Sequence, residues 1–328
     1  MSQIDPGFAS IQVLALQTSD SWFNGVIIES LTHGIYTALL GVILWRILIS
    51  STSRQTKVLA GISVFMYVLA TVHFAVRWFY ARRAFITNGE TEETRFYSLA
   101  DSLIAGGPLW VPTISSVVGG INILTADCII IWRCWIIWDR NWRMIVLPSL
   151  CTLCGTIFDI FFLIEQLTPA TDSQGKSPTP WGNSSINWGI AFNSMTLSTT
   201  VICTTLIVFR LARARTSLRF GPNLYYRVME IIVESAALYA VVLAVYIPFI
   251  ATNSPYSNYP QVVLASVTGI APTLILLRVA SVRKMDLGSH AQPLSVRHLS
   301  ISGVEGSVTC VEEDRAILIS QEKTVEVV

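Results

Sequence analysis

The sequence predicts an all-α polytopic membrane protein, a bundle of seven transmembrane helices with the N-terminus outside and the C-terminus in the cytoplasm. Three observations predict it. Of 328 residues, 52% are hydrophobic and only 13% charged, whereas soluble domains carry about one quarter charged residues. Apolar runs long enough to cross a hydrocarbon core of about 30 Å, which takes roughly 20 helical residues, recur seven times along the chain. Lysine and arginine gather on alternate connections, as cytoplasmic loops require. The formal net charge of +1 provides no global basic field of the kind that binds nucleic acid.

Residues 1–24 read as an extracellular N-terminus, with neither the basic start nor the small-residue cleavage site of a secretory signal. The spans follow as Gly25 to Ile49, Val58 to Tyr80, Pro112 to Trp138, Met144 to Leu167, Trp188 to Phe209, Val228 to Ala251 and Gln261 to Ala280. Together, residues 25–280 form the transmembrane domain. The third span sets the frame for the rest. Its single carboxylate, Asp127, precedes a cluster of Trp132, Arg133, Trp135, Trp138, Arg140, Trp142 and Arg143, after which an apolar run resumes. Tryptophan prefers the headgroup layer and arginine the cytoplasmic side, so the cluster marks where the helix ends and on which side.

Arg46, Arg54 and Lys57 place the first connection inside, Arg133, Arg140 and Arg143 the third, and Arg210, Arg213, Arg215, Arg219 and Arg227 the fifth. Arg278, Arg283 and Lys284 do the same for the exit of the last helix. In the second connection Arg82, Arg83 and Arg95 are offset by Glu90, Glu92 and Glu93. The fourth, from Thr168 to Asn187, holds only Lys176 and carries the glycosylation sequon Asn183-Ser184-Ser185 on the predicted outer side. Beyond Ala280 the composition turns to Ser, Gly, His and charge, so residues 281–328 read as a disordered cytoplasmic tail.

Three blocks resemble a known set of proteins. They are Glu29 to Tyr36 in the first helix, the Asp127 to Pro148 stretch, and Ala271 to Val279 in the last helix. Together they are similar to the seven-transmembrane proteins of mushroom-forming (basidiomycete) fungi, receptor-like in topology. That resemblance implies membrane residence and topology, and has no settled activity to lend.

Ionisable groups inside a bilayer cost a few kcal/mol each and are kept away from lipid. Glu29 and His33 lie one turn apart in the first span, His73 and Arg77 repeat that spacing in the second, Asp127 lies near the midplane of the third, and Asp159 falls in the outer half of the fourth. These six form a candidate polar site in the outer half of the bundle, either a cavity for a small-molecule ligand or ion, or interhelical glue. Arg133 and Glu234, at matched depth on the third and sixth helices, form a candidate tie between inner helix ends.

Asp139-Arg140-Asn141 reads as a charged interfacial turn. The connection from Arg210 to Arg227 suits anionic lipid or a cytoplasmic signalling partner. No catalytic motif, metal constellation or cofactor-binding loop is present, and Cys151-x-x-Cys154 lies inside a span without further ligands. The sequence therefore reads as a receptor-like sensor in the plasma membrane rather than an enzyme, with a transporter or channel as the alternative.

One prediction follows from the arginine asymmetry and the sequon. Expressed in a eukaryotic cell, the chain carries a glycosidase-sensitive mass that Asn183→Gln removes, and a tag after Val328 stays protected until the cells are permeabilised. Surface labelling of that tag reverses the orientation.

Overall fold

The computed structural model of the chain describes residues 6–49, 54–91, 94–95, 98, 110–167, 187–217, 222–252 and 254–290. Every regular element among them is helical. The long helices are α1 (Pro6–Ile49), α2 (Arg54–Arg82), α3 (Trp110–Ile137), α4 (Trp142–Leu167), α5 (Trp188–Ser217), α6 (Pro222–Ala251) and α7 (Asn258–His290). A π-helical turn, Arg83–Thr87, extends α2, and a 3₁₀ turn, Pro255–Ser257, leads into α7.

Six of the helices, α1 to α6, are long and apolar enough to span a membrane. The predicted seventh span, 261–280, falls within α7, whose side chains beyond Leu274 lie outside the described residues. A helix suits a bilayer because it satisfies its own backbone hydrogen bonds where no water is present.

The helices run in chain order around a closed ring in which α1 returns to pack on α7. α3 touches α2, α4, α5 and α7, and α7 touches α1, α2, α3 and α6. The surface is inverted relative to a soluble protein. Leu31, Ile35, Trp45, Leu48, Leu153 and Val241 face outward, whereas Glu29, Arg77, Asp127, Thr199, Thr200 and Thr268 are buried. Such a distribution is stable only where the surroundings are apolar.

Several boundaries differ from the sequence reading. α1 has 44 residues and is about 66 Å long at 1.5 Å per residue, twice the hydrocarbon thickness. Its first turns, read as an extracellular N-terminus, therefore continue the helix beyond the predicted span at Gly25. α2 runs on to Thr87 through the π turn. The tail predicted to be disordered from residue 281 starts as helix through His290. Arg283, Lys284, Met285 and Leu287 are good helix formers, and no proline follows Pro272 until residue 293. Asn183 lies outside the described residues.

The interfacial turn between α3 and α4 is tight. Asp139 and Arg140 both hold positive φ, 53° and 60°, a left-handed conformation that asparagine and aspartate tolerate better than most residues. Asn141 then caps α4, its Oδ1 accepting from the Arg143 amide at 3.2 Å. Around it the tryptophans pack against neighbouring helices. The Trp138 indole donates to the Leu206 carbonyl at 3.2 Å, and the Arg210 guanidinium lies 5.5 Å from the Trp138 ring.

Tyr36 joins three helices. Fully buried, it donates to the Ser63 carbonyl of α2 at 3.2 Å, and its ring packs flat against Gly269 of α7, where a Cβ would come within 2.6 Å of ring atoms. Gly269→Ala therefore lowers thermal stability in detergent by roughly 1–3 kcal/mol through overpacking. Gly34→Ala, with open space beside it, serves as the control and leaves the melting temperature unchanged or slightly raised. Equal effects of the two substitutions would remove this contact from the account of how α1, α2 and α7 assemble.

Candidate functional site

The six predicted polar residues do not form one set. Three of them, Glu29, His73 and Arg77, meet where α1, α2 and α7 converge. His73 and Arg77 are one turn apart on α2 and so project from one face. That face is turned to Glu29 of α1. His73 Nδ1 lies 2.8 Å from Glu29 Oε1, and Arg77 Nε donates to Glu29 Oε2 at 2.8 Å. All three side chains are buried.

The Arg77 guanidinium makes further contacts. Its Nη2 donates to Asn258 Oδ1 at the start of α7, and Asn258 Nδ2 donates to the Ser21 carbonyl at 2.7 Å. Trp22 stacks on the guanidinium at 4.5 Å, the planar contact that arginine makes with aromatic faces. Gly25 makes room for Asn258, whose amide occupies the place where a Cβ would stand. These contacts join α1, α2 and α7 through a cluster of buried polar side chains.

His33 stands apart from it. Although one turn from Glu29, its ring is stacked between Tyr67 and Phe74, at 5.1 Å and 5.4 Å. Its Nε2 lies 3.4 Å from the Thr71 hydroxyl, and its Nδ1 is buried without a hydrogen-bond partner. Sequence spacing paired Glu29 with His33, but Glu29 finds its partners across the helix interface.

Asp127 and Asp159 belong to a different place, a cleft of about 190 Å³ between α3, α4 and α5. The α3 wall is a stripe at helical spacing: Val117, Gly120, Ile121, Leu124 and Asp127. α4 contributes Thr152, Thr156 and Asp159, and α5 contributes Phe192 and Thr196. Asp159 packs against Gly120, where a Cβ would collide with its carboxylate. Seven residues separate Gly120 from Asp127, so the two carboxylates lie about 10 Å apart along the axis of α3.

No cation lines this cleft, and among the described residues neither aspartate takes part in an ion pair. At one end of the α3–α4 seam the Ser116 hydroxyl donates to Gln166 Oε1 at 2.8 Å. Thr196 and Gly120 are residues that the sequence reading missed. Nothing distinguishes a functional threonine or glycine from an ordinary one in an apolar helix until its neighbours are known.

Asp127 also borders a second, smaller space of about 50 Å³. Arg133, Tyr239, Thr268 and Pro272 line it as well, and both Arg133 Nε and the Tyr239 hydroxyl are buried without a hydrogen-bond partner. The predicted tie between Arg133 and Glu234 is not formed. On α6 the buried positions are Ser235, Ala236, Tyr239 and Leu243, which puts Glu234 on the exposed face. Matched depth was a sound inference, but depth does not fix the azimuth of a side chain around its helix.

Removing one partner of a buried ion pair leaves the other charge uncompensated, at a cost of about 3–5 kcal/mol. Glu29→Leu and Arg77→Met each lower the melting temperature in detergent markedly, and the two combined recover much of the loss. Purely additive losses would mean that the two residues act independently. A scan against protein-family models and searches of curated proteins and of solved structures found no match.

Proposed function

We propose that this chain is a seven-helix membrane protein, N-terminus outside and C-terminus cytoplasmic, that senses a small molecule at the α3–α4–α5 cleft and signals to a cytoplasmic partner at the Arg210 to Arg227 connection. One observation carries the reading. Asp127 is 3% exposed, stands in a cavity, and has no cationic partner among the described residues. A carboxylate near the middle of a bilayer is costly, and such groups mark sites or pathways. Glu29, equally buried, has both carboxylate oxygens bound, one by His73 and one by Arg77. Plasma-membrane residence and kinship with the fungal seven-span proteins belong to the same proposal.

A transporter or channel is the second reading, favoured by one feature. Asp127 lines both the cleft and the smaller inner space, so polar groups follow α3 from Gly120 to Arg133.

The two readings separate in one pair of assays. With a co-expressed G-protein α subunit, a panel of small amphiphiles is scored for stimulated nucleotide exchange, and the same compounds are scored for flux in proteoliposomes. The sensor reading expects exchange without flux, and expects Asp127→Asn to leave expression near wild type while abolishing the response. Flux that Asp127→Asn abolishes, with no exchange, establishes the transporter instead.

A further inference from the structure

The chemistry of the cleft selects a class of ligand. Two carboxylates and no cation face it, so an anion is repelled, and a neutral hydrocarbon leaves Asp127 buried without a counter-charge. The complementary group is an ammonium, which can donate to Asp127 in a charge-assisted bond and to nearby threonine hydroxyl oxygens.

The walls say what the ammonium is attached to. Val117, Ile121 and Ile160 line the cleft and are also exposed on the outer surface of the bundle. The cleft therefore opens sideways between α3 and α4, through apolar residues of the kind that face acyl chains. Ser116 and Gln166 bond across the same seam beyond Val117, which bridges it toward that helix end. At about 190 Å³ the space is smaller than the roughly 300–1,000 Å³ typical of drug-sized ligands. It suits a head group and the first part of a chain whose remainder lies in lipid.

We propose that the cleft binds a single-chain cationic amphiphile, a long-chain alkylamine, with its ammonium at Asp127 and its hydrocarbon chain leaving between α3 and α4 past Ile121 and Ile160. Asp159, against Gly120 and about 10 Å from Asp127 along α3, adds negative potential along the way in. This rests on the reading of the cleft as a ligand site and names what that site recognises. An amine of this kind partitions into the bilayer first and then reaches the carboxylate laterally.

The test uses the full-length protein in lipid nanodiscs and follows thermal unfolding with octylamine, octanol or octanoate at equal concentration. Octylamine at saturation raises the melting temperature of the wild type by about 4 °C, and the alcohol and the acid do not. Asp127→Asn abolishes the shift. Leu124→Phe, which fills the cleft and leaves both carboxylates in place, also abolishes it and covers the case in which Asp127→Asn fails to fold.

Equal shifts from all three compounds, a shift that survives in both variants, or no shift with octylamine overturns the amine site. The sensor reading is judged separately. If octanol or octanoate alone stabilises the protein and Leu124→Phe removes that effect, amine recognition fails and a ligand cleft remains. If octylamine stabilises through Asp127 but evokes no nucleotide exchange, the amine site stands and the sensor reading fails.

Discussion

The bundle depends on Arg77. A guanidinium buried among helices in an apolar medium is tolerated only when its charge is matched and its donors are used, and the structure meets both conditions from two neighbouring helices at once. Glu29 of α1 supplies the charge, Asn258 of α7 accepts a further hydrogen bond, and Trp22 covers the face. α1 and α7 are the two ends of the helical series, so these contacts help close the ring. Gly25 and Gly269 fit the same junction, each giving up a side chain so that Asn258 and Tyr36 can approach.

Set beside that cluster, the α3–α4–α5 cleft is its opposite. The same physics, an acidic group in a poor solvent, is met at Glu29 by two cationic side chains and at Asp127, among the described residues, by none. Threonines line both the cleft and the adjoining inner space, where hydroxyls can bond to a neighbour or to the backbone one turn away. Thr152 and Thr156 already donate to carbonyls four residues earlier, at 3.1 Å and 2.9 Å, which leaves their oxygens able to accept from a ligand.

Much of this was legible in the sequence. Apolar runs gave the helices, the tryptophan and arginine cluster marked the end of α3, and of the intramembrane ionisable residues singled out, Glu29, His73, Arg77 and Asp127 are buried, whereas His33 and Asp159 are half-buried and Glu234 is exposed. The partners were not legible. Periodicity says which residues share a face of one helix, but not which face of another helix it meets. Hence the sequence groups Glu29, His33, His73 and Arg77 in one polar set without distinguishing that Glu29 bonds to His73 and Arg77 and not to His33, it turns Glu234 inward, and it leaves Asn258 and Trp22 outside the spans. Boundaries failed where helix propensity continues past the apolar run, at both ends of the series.

The central claim is that one buried polar cluster is closed and the other open. The most direct measurement is carboxyl modification of the protein in native membranes with a hydrophobic carbodiimide, mapped by peptide mass spectrometry. The account predicts adducts at Asp127 and Asp159, with Asp127 protected when octylamine is present, and none at Glu29. Modification of Glu29 with both aspartates untouched would contradict it.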